Sequence, residues 1–129
     1  MSSESSKKDP AIRIVLLPKD TNANGTIFGG IILSHIDLAG AVEAKKHTKE
    51  RIVTVAMKEV VFKQPVLVGE VVSFYTSTVK VGRTSVTVCV DVDVNRQGEE
   101  VRVTEAELTF VAVGSDGHPK PLKPETENK

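Results

Sequence analysis

The chain has 129 residues, 17 basic and 17 acidic, with no formal net charge, which fits one domain with a sizeable core rather than two. Four Phe, one Tyr and no Trp, without a basic excess, leave neither the cationic footprint nor the interleaved aromatics expected of a nucleic-acid binder. One cysteine, Cys89, leaves no internal disulfide, and the polar start MSSESSKKDP lacks the apolar core of a secretory leader or membrane span, so the chain reads as cytoplasmic.

Residues 1–9 read as a disordered arm and residues 114–129 (GSDGHPKPLKPETENK) as a flexible, Pro- and charge-rich tail, leaving 10–113 as the folded domain. Ala11 to Leu17 has strand composition and ends before Pro18. A glycine- and asparagine-rich loop over 19–27 leads into a helix expected from about Phe28 to Lys46. Strands are expected over 51–62, 70–81, 84–94 and 101–113. In the third of these, Val86, Val88, Val90, Val92 and Val94 alternate with Thr87, Cys89, Asp91 and Asp93, so only one face belongs to the core. Apolar positions change parity between Phe74 and Val79, and again between Val103 and Ala106, which predicts bulges or strong curvature. A strand, a long helix and four strands joined by short turns give an α+β fold, an antiparallel sheet wrapped about a central helix.

The chemistry concentrates on that helix. Between residues 21 and 42 the only formal charge is Asp37. On a helical wheel, Phe28, Ile31, Ile32, His35, Ala39 and Val42 share one face, while Gly30, Leu33, Gly40, Ala41 and Ala44 surround Asp37 on the other. Neither face is polar, so the helix is expected to be buried, and a buried carboxylate must be paired, hydrogen-bonded or protonated. Asp37 is therefore a candidate for chemistry. His35 lies about 160° from it and reads as a core histidine, whereas Ser34 is about 60° away. Cys89 has no partner in the sequence and reads as an inert strand residue. His35, His47 and His118 lack metal-ligand spacing, and Gly25, Gly29 and Gly30 fit no Walker, GxSxG or GxGxxG pattern.

PKDTNANGTIFGGIILSHIDLAGAV (18–42), with Pro18, Asp20, Asn22, Gly25, Gly29, Gly30 and Asp37 in order, resembles the signature of the acyl-CoA hydrolases of the hotdog fold, in the branch of the YciA-type and brain-type acyl-CoA thioesterases. RIVTVAMKEVVFKQPVLVGEVV and KVGRTSVTVCVDV are similar to that family's second and middle strands, and the likeness covers roughly Ala11 to Leu122. Brain-type members carry two such repeats in one chain and divide the site between them. A single repeat therefore implies a homodimer as the minimal unit, with a trimer of dimers, a hexamer, as the expected assembly.

The resemblance implies hydrolysis of a fatty or short acyl-CoA to the free acid and coenzyme A, with no metal and no organic cofactor. Gly29 and Gly30 would open the helix so that its unpaired N–H groups polarise the thioester carbonyl; the alternative is that they only permit tight packing. Asp37 would act as a general base on water or as a nucleophile forming a mixed anhydride, and both remain open. It would work opposite Asn22 of another subunit, with Asn24 sharing that role, unless these amides only shape the loop. The turn Lys80, Val81, Gly82, Arg83, Thr84 and Ser85 would form a phosphate lip, and the strand from Thr54 and Val55 to Lys58 a rail for the pantetheine amides. Apart from the resemblance, Lys120, Lys123 and Lys129 of the tail could add charge near the adenosine, but such runs are more often merely solvated. A hotdog hydratase or dehydratase, which would need a histidine beside the acid, and a non-catalytic acyl-CoA-binding module are the alternatives. Neither nucleic acid nor membrane is an expected partner.

Overall fold

Alternating valines build the centre of the sheet. In the computed structural model, which describes residues 9–123, the strands are β1 (Ile12–Val15), β2 (Arg51–Phe62), β3 (Val71–Val81), β4 (Ser85–Arg96) and β5 (Glu99–Val113). The helix α1 spans Gly29–Ala44, and short 3-10 turns occupy Pro18–Asp20 and Lys45–His47. The sheet is antiparallel throughout, in the order β1-β3-β4-β5-β2, and curls around α1 as a half-barrel. Val86, Val88, Val90, Val92 and Val94 of the central strand β4 are fully buried beneath the helix, as the alternation requires.

The curl comes from bulges. Val79 is the unmatched residue between the pairs Thr78–Val88 and Lys80–Thr87, and Val103 between the pairs Val92–Thr104 and Asp93–Arg102. Each of them bounds one of the intervals over which the apolar pattern changes parity. After the second, Val103 and Thr104 are consecutive buried residues, since the extra residue turns two side chains towards the same face. β2 carries two further irregularities, at Val55 and near Glu59, whose φ of 53° is left-handed. They left no mark in the apolar pattern, because β2 is an edge strand exposed over most of its length.

The helix is buried on one side, not all round. Ile32, Ile36, Ala39, Gly40 and Ala44 face the sheet, whereas Leu38 and Val42 are 58% and 48% exposed. A Cβ on Gly40 would lie 3.1 Å from the Phe110 ring and 3.3 Å from Val88, so glycine allows the closest approach of helix to sheet. The packed chain also runs past 113, the expected end of the domain. Lys120 N–H donates to Ala112 O and Leu122 N–H to Arg83 O, each at 2.9 Å, and Leu122 is buried, so the segment read as a flexible tail is held as far as Leu122 by sheet-like bonds and one apolar anchor. The arm over residues 1–8 and the last part of the tail, including Lys129, lie outside the described residues.

The buried acid of the helix is Glu43, which the sequence reading passed over. Its carboxylate accepts hydrogen bonds from Thr78 Oγ1 (2.6 Å), Thr76 Oγ1 (2.9 Å) and Lys46 Nζ (3.0 Å). Thr78 spends its proton there, so its oxygen accepts from His47 Nε2–H at 2.8 Å. Burial alone would raise the carboxyl pKa, but the bonds from Thr78, Lys46 and Thr76 outweigh it and hold it down to about 2, from an ordinary 4.5. A lowered acid stabilises the fold fully above its unfolded pKa and loses that contribution as pH falls through the folded one, here on the order of 3 kcal/mol. Glu43→Gln should therefore flatten the fall in the urea midpoint between pH 5 and pH 2. Parallel acid limbs for the two proteins would contradict this account of the helix end.

Candidate active site

The loop before α1 is fixed by its own side chains. Asn22 Oδ1 accepts from the N–H groups of Asn24 (2.8 Å) and Thr26 (3.2 Å), and its Nδ2 donates to Thr26 Oγ1 at 3.1 Å. Gly25 supplies the φ of 83° that the turn requires. Asp20 accepts from Leu17 N–H at 3.0 Å and from Lys19 Nζ at 3.1 Å, and these two contacts, the backbone one foremost, lower its pKa. Ile27 N–H and Phe28 N–H donate to Val66 O and Asp20 O, which aims the chain into the helix. Asn22 thus shapes the loop with its amide oxygen, while Asn24 stands exposed at the loop's tip.

The helix start is uncapped by any side chain. Ile31 N–H returns to Phe28 O, but the N–H groups of Gly29 and Gly30 take no backbone acceptor among the described residues. The two glycines differ in what they allow. A Cβ on Gly30 would lie 2.6 Å from the Phe28 ring, so that glycine seats the ring; a Cβ on Gly29 would meet only the Phe62 ring at 3.5 Å. Gly29 is therefore the position where an incoming group can approach the N–H groups.

Asp37 lies over the edge strand β2, half-buried, with Thr54 Oγ1 donating to its Oδ1 at 2.6 Å. Its Oδ2 takes no hydrogen bond among the described residues. Thr54 thus orients the acid with its hydroxyl, and Val55, the next residue of the expected substrate rail, sits at a bulge and is 55% exposed. His35 lies on the other flank of the helix, where its ring stands 5.8 Å from that of Phe74 and its Nδ1 bonds to Ile31 O. It does not join Asp37. Eight residues separate Gly29 from Asp37, about 12 Å of helix, so one chain does not place both on a single carbonyl.

The hairpin between β3 and β4 is anchored on all sides. Gly82 N–H donates to Ser85 O at 2.7 Å, Thr84 O accepts from Ala112 N–H, and Lys80 and Arg83 project from the surface. Beside it lie two adjoining hollows of about 380 and 430 Å³ that share His47, Leu122 and Lys123. Gly82 and Arg83 line the first and Lys45, Lys46 and Lys49 the second. Arg83 and Lys123, expected as cations of a phosphate site, border these hollows, whereas Lys80 does not line them; Lys45, Lys46 and Lys49 were not expected, although cations at a helix C-terminus are a readable pattern. Lys120 is paired with Glu50 at 3.1 Å.

Elsewhere, burial first and the carboxylates of Asp91, Glu107 and Glu105 next push the Cys89 thiol up, which makes it a poor nucleophile. A further hollow, of about 830 Å³, opens near the β4–β5 hairpin, where Arg96 is committed to Glu70, Gln64 and Pro65 O. It contains none of the loop or helix groups described above. No cluster of His, Cys, Asp and Glu suited to a metal is found among the described residues, and no described helix is long and apolar enough to cross a membrane.

The profile of the thioesterase superfamily matches residues 24–102, from the loop through the start of β5. The acyl-CoA thioester hydrolase YciA of Salmonella typhimurium is 42% identical over 116 residues, covering 86% of this chain and 87% of that protein. Among solved structures, a hexameric hotdog fold thioesterase of Campylobacter jejuni is 46% identical with a TM-score of 0.84, covering 93% of this chain and 94% of that one. The hexameric thioesterase of Yersinia pestis is 40% identical with a TM-score of 0.85, covering 90% and 96%. The chain belongs to the thioesterase superfamily, as a hotdog-fold member of the YciA group of acyl-CoA thioester hydrolases.

Proposed function

We propose that this protein hydrolyses acyl-CoA thioesters to a carboxylic acid and coenzyme A in a site assembled from two copies of the chain. The observation that carries the reading is a carboxylate held by one hydroxyl, Asp37 on Thr54, at an open sheet edge, in a chain whose helix start leaves Gly29 N–H unoccupied. The thioester carbonyl takes hydrogen bonds at the Gly29 end of one helix, and Asp37 of the second copy serves the attack. As a base, Asp37 Oδ2 accepts a proton from water while the water oxygen bonds to the carbonyl carbon; as a nucleophile, it forms an anhydride that water then opens. In both, the C–S bond breaks and coenzyme A leaves as the thiol. Asn22 Nδ2 keeps a second N–H beyond its bond to Thr26, and that donor is the one available to the carbonyl.

The rest of the coenzyme follows from charge. Arg83, Lys80 and the lysines around His47 and Leu122 offer cations to its phosphates, and Gly82, Thr84 and Ser85 shape the lip they stand on. The reaction needs no metal or organic cofactor, coenzyme A being part of the substrate. β2 presents an unpaired edge beside exposed Val53 and Val55, with Leu38 and Val42 exposed on the helix, a surface that a second copy would cover. A trimer of such dimers accords with the hexameric relatives. A hydratase is disfavoured by the turn of His35 towards β3, away from the acid.

Asp37→Asn, nearly isosteric and neutral, should lower kcat on the order of 100-fold or more with folding intact. A folded variant with wild-type turnover would make Asp37 structural. Thr54→Val should cost about 10-fold, with Thr54→Ser restoring most of it, because a hydroxyl rather than a methyl orients the acid. Equal activity of the valine and serine variants would remove Thr54 from the site. Sedimentation at assay concentration should give a dimer or a multiple of it, and a fully active monomer would contradict the shared site.

A further inference from the structure

Another cavity, of about 310 Å³, opens at the start of α1. Ile27, Ile32, Phe62 and Val66 are among its apolar walls, Lys63 and Gln64 add polar groups to the lining, and Gly29 and Thr104 also border it. Thr104 is fully buried, and its Oγ1 has no hydrogen-bond partner, the one such buried side-chain atom among the described residues. A strand threonine cannot bond back to the carbonyl four residues earlier, as a helical one does, so its hydroxyl depends on a neighbour. Valine has the same shape and would remove the cost of an orphaned hydroxyl in an apolar wall. The residue owes its inward direction to the bulge at Val103, which turns Val103 and Thr104 to the same buried face. This cavity adjoins the Gly29 N–H group proposed to hold the thioester carbonyl, and it does not include the cationic hollows at the other end of the helix.

We infer that this cavity receives the acyl chain and that Thr104 Oγ1 is a specificity-determining group, favouring acyl-CoAs whose chain carries an oxygen, as a hydroxyl or keto group, over plain alkyl chains of equal length. The inference rests on the acyl-CoA reading above. A hydroxyl both donates and accepts, so either kind of chain oxygen satisfies it, and the chain oxygen in turn avoids burial without a partner. The volume lies at the small end of ligand pockets, which points to short and medium chains. Phe62, half exposed at the end of β2 and in contact range of Gly29, forms the wall past which the chain enters.

The test compares kcat/KM for straight-chain acyl-CoAs of about four to eight carbons with that for their counterparts hydroxylated at each chain position, in the wild type, Thr104→Val and Thr104→Ser. At least one hydroxyacyl-CoA should be preferred by the wild type. Thr104→Val should lower that preference, read as the ratio of the two kcat/KM values, about 10-fold or more, and Thr104→Ser should keep it. Removal of the orphaned hydroxyl should also raise the melting temperature of ligand-free Thr104→Val by about 2–8 °C. An unchanged ratio in Thr104→Val at every length would overturn the inference and leave the thioesterase reading standing. A lowered melting temperature with an unchanged ratio would do the same and mark the hydroxyl as structural, satisfied by buried water. Release of coenzyme A from no acyl-CoA by the wild type would sink both.

Discussion

An α-helix rises about 1.5 Å per residue, and that spacing governs how this protein can work. Gly29 offers its N–H at the start of α1 and Asp37 stands eight residues on, about 12 Å along the axis and turned towards the edge strand β2. One chain holds both groups firmly and holds them apart. A carbonyl polarised at the helix start is out of reach of the acid on the same helix, so the reading that uses both requires a second chain. The open edge of β2, with Asp37 and Thr54 beside it and apolar side chains exposed around it, lies where that chain would have to sit.

The rigidity that keeps these groups apart has identifiable sources. Gly40 lets the helix approach Phe110 and Val88, and the fully buried valines of β4 fix the floor beneath it. At the far end, Glu43 ties the last turn to Thr76 and Thr78 of β3, and through Thr78 to His47. At the near end, Asp20 and Asn22 satisfy loop N–H groups that would otherwise need water. The helix is thus pinned at both ends, with its acid at mid-length.

Most of the fold was legible because its strands alternate. The valines of β4 gave their inward face directly, and the parity changes near Val79 and Val103 marked two bulges that the sheet carries. β2 hid its irregularities, since an edge strand exposed on both faces has no burial pattern to break. The spacing of Asn22, Gly29 and Asp37 was readable as a constellation, but the apolar wheel overstated the burial of Asp37 and overlooked Glu43, just beyond the charge-poor stretch. A wheel ranks faces by composition and cannot say which flank the sheet covers. The bond from Thr54 to Asp37 left no signal, because a pairing between residues 37 and 54 depends on where β2 passes the helix. Thr104 left no signal at all, as threonine is an ordinary strand residue until the bulge turns it inwards.

Subunit mixing tests the shared site most directly. Asp37→Asn and Asn22→Ala proteins, each nearly inactive, are combined and allowed to exchange, with exchange verified by co-purification of differently tagged chains. Heterodimers then contain one site with both residues intact, and the account predicts that turnover reappears, approaching half the wild-type rate per mixed dimer. Persistent inactivity after verified exchange would contradict it, since a site built within one chain keeps a defect in every combination.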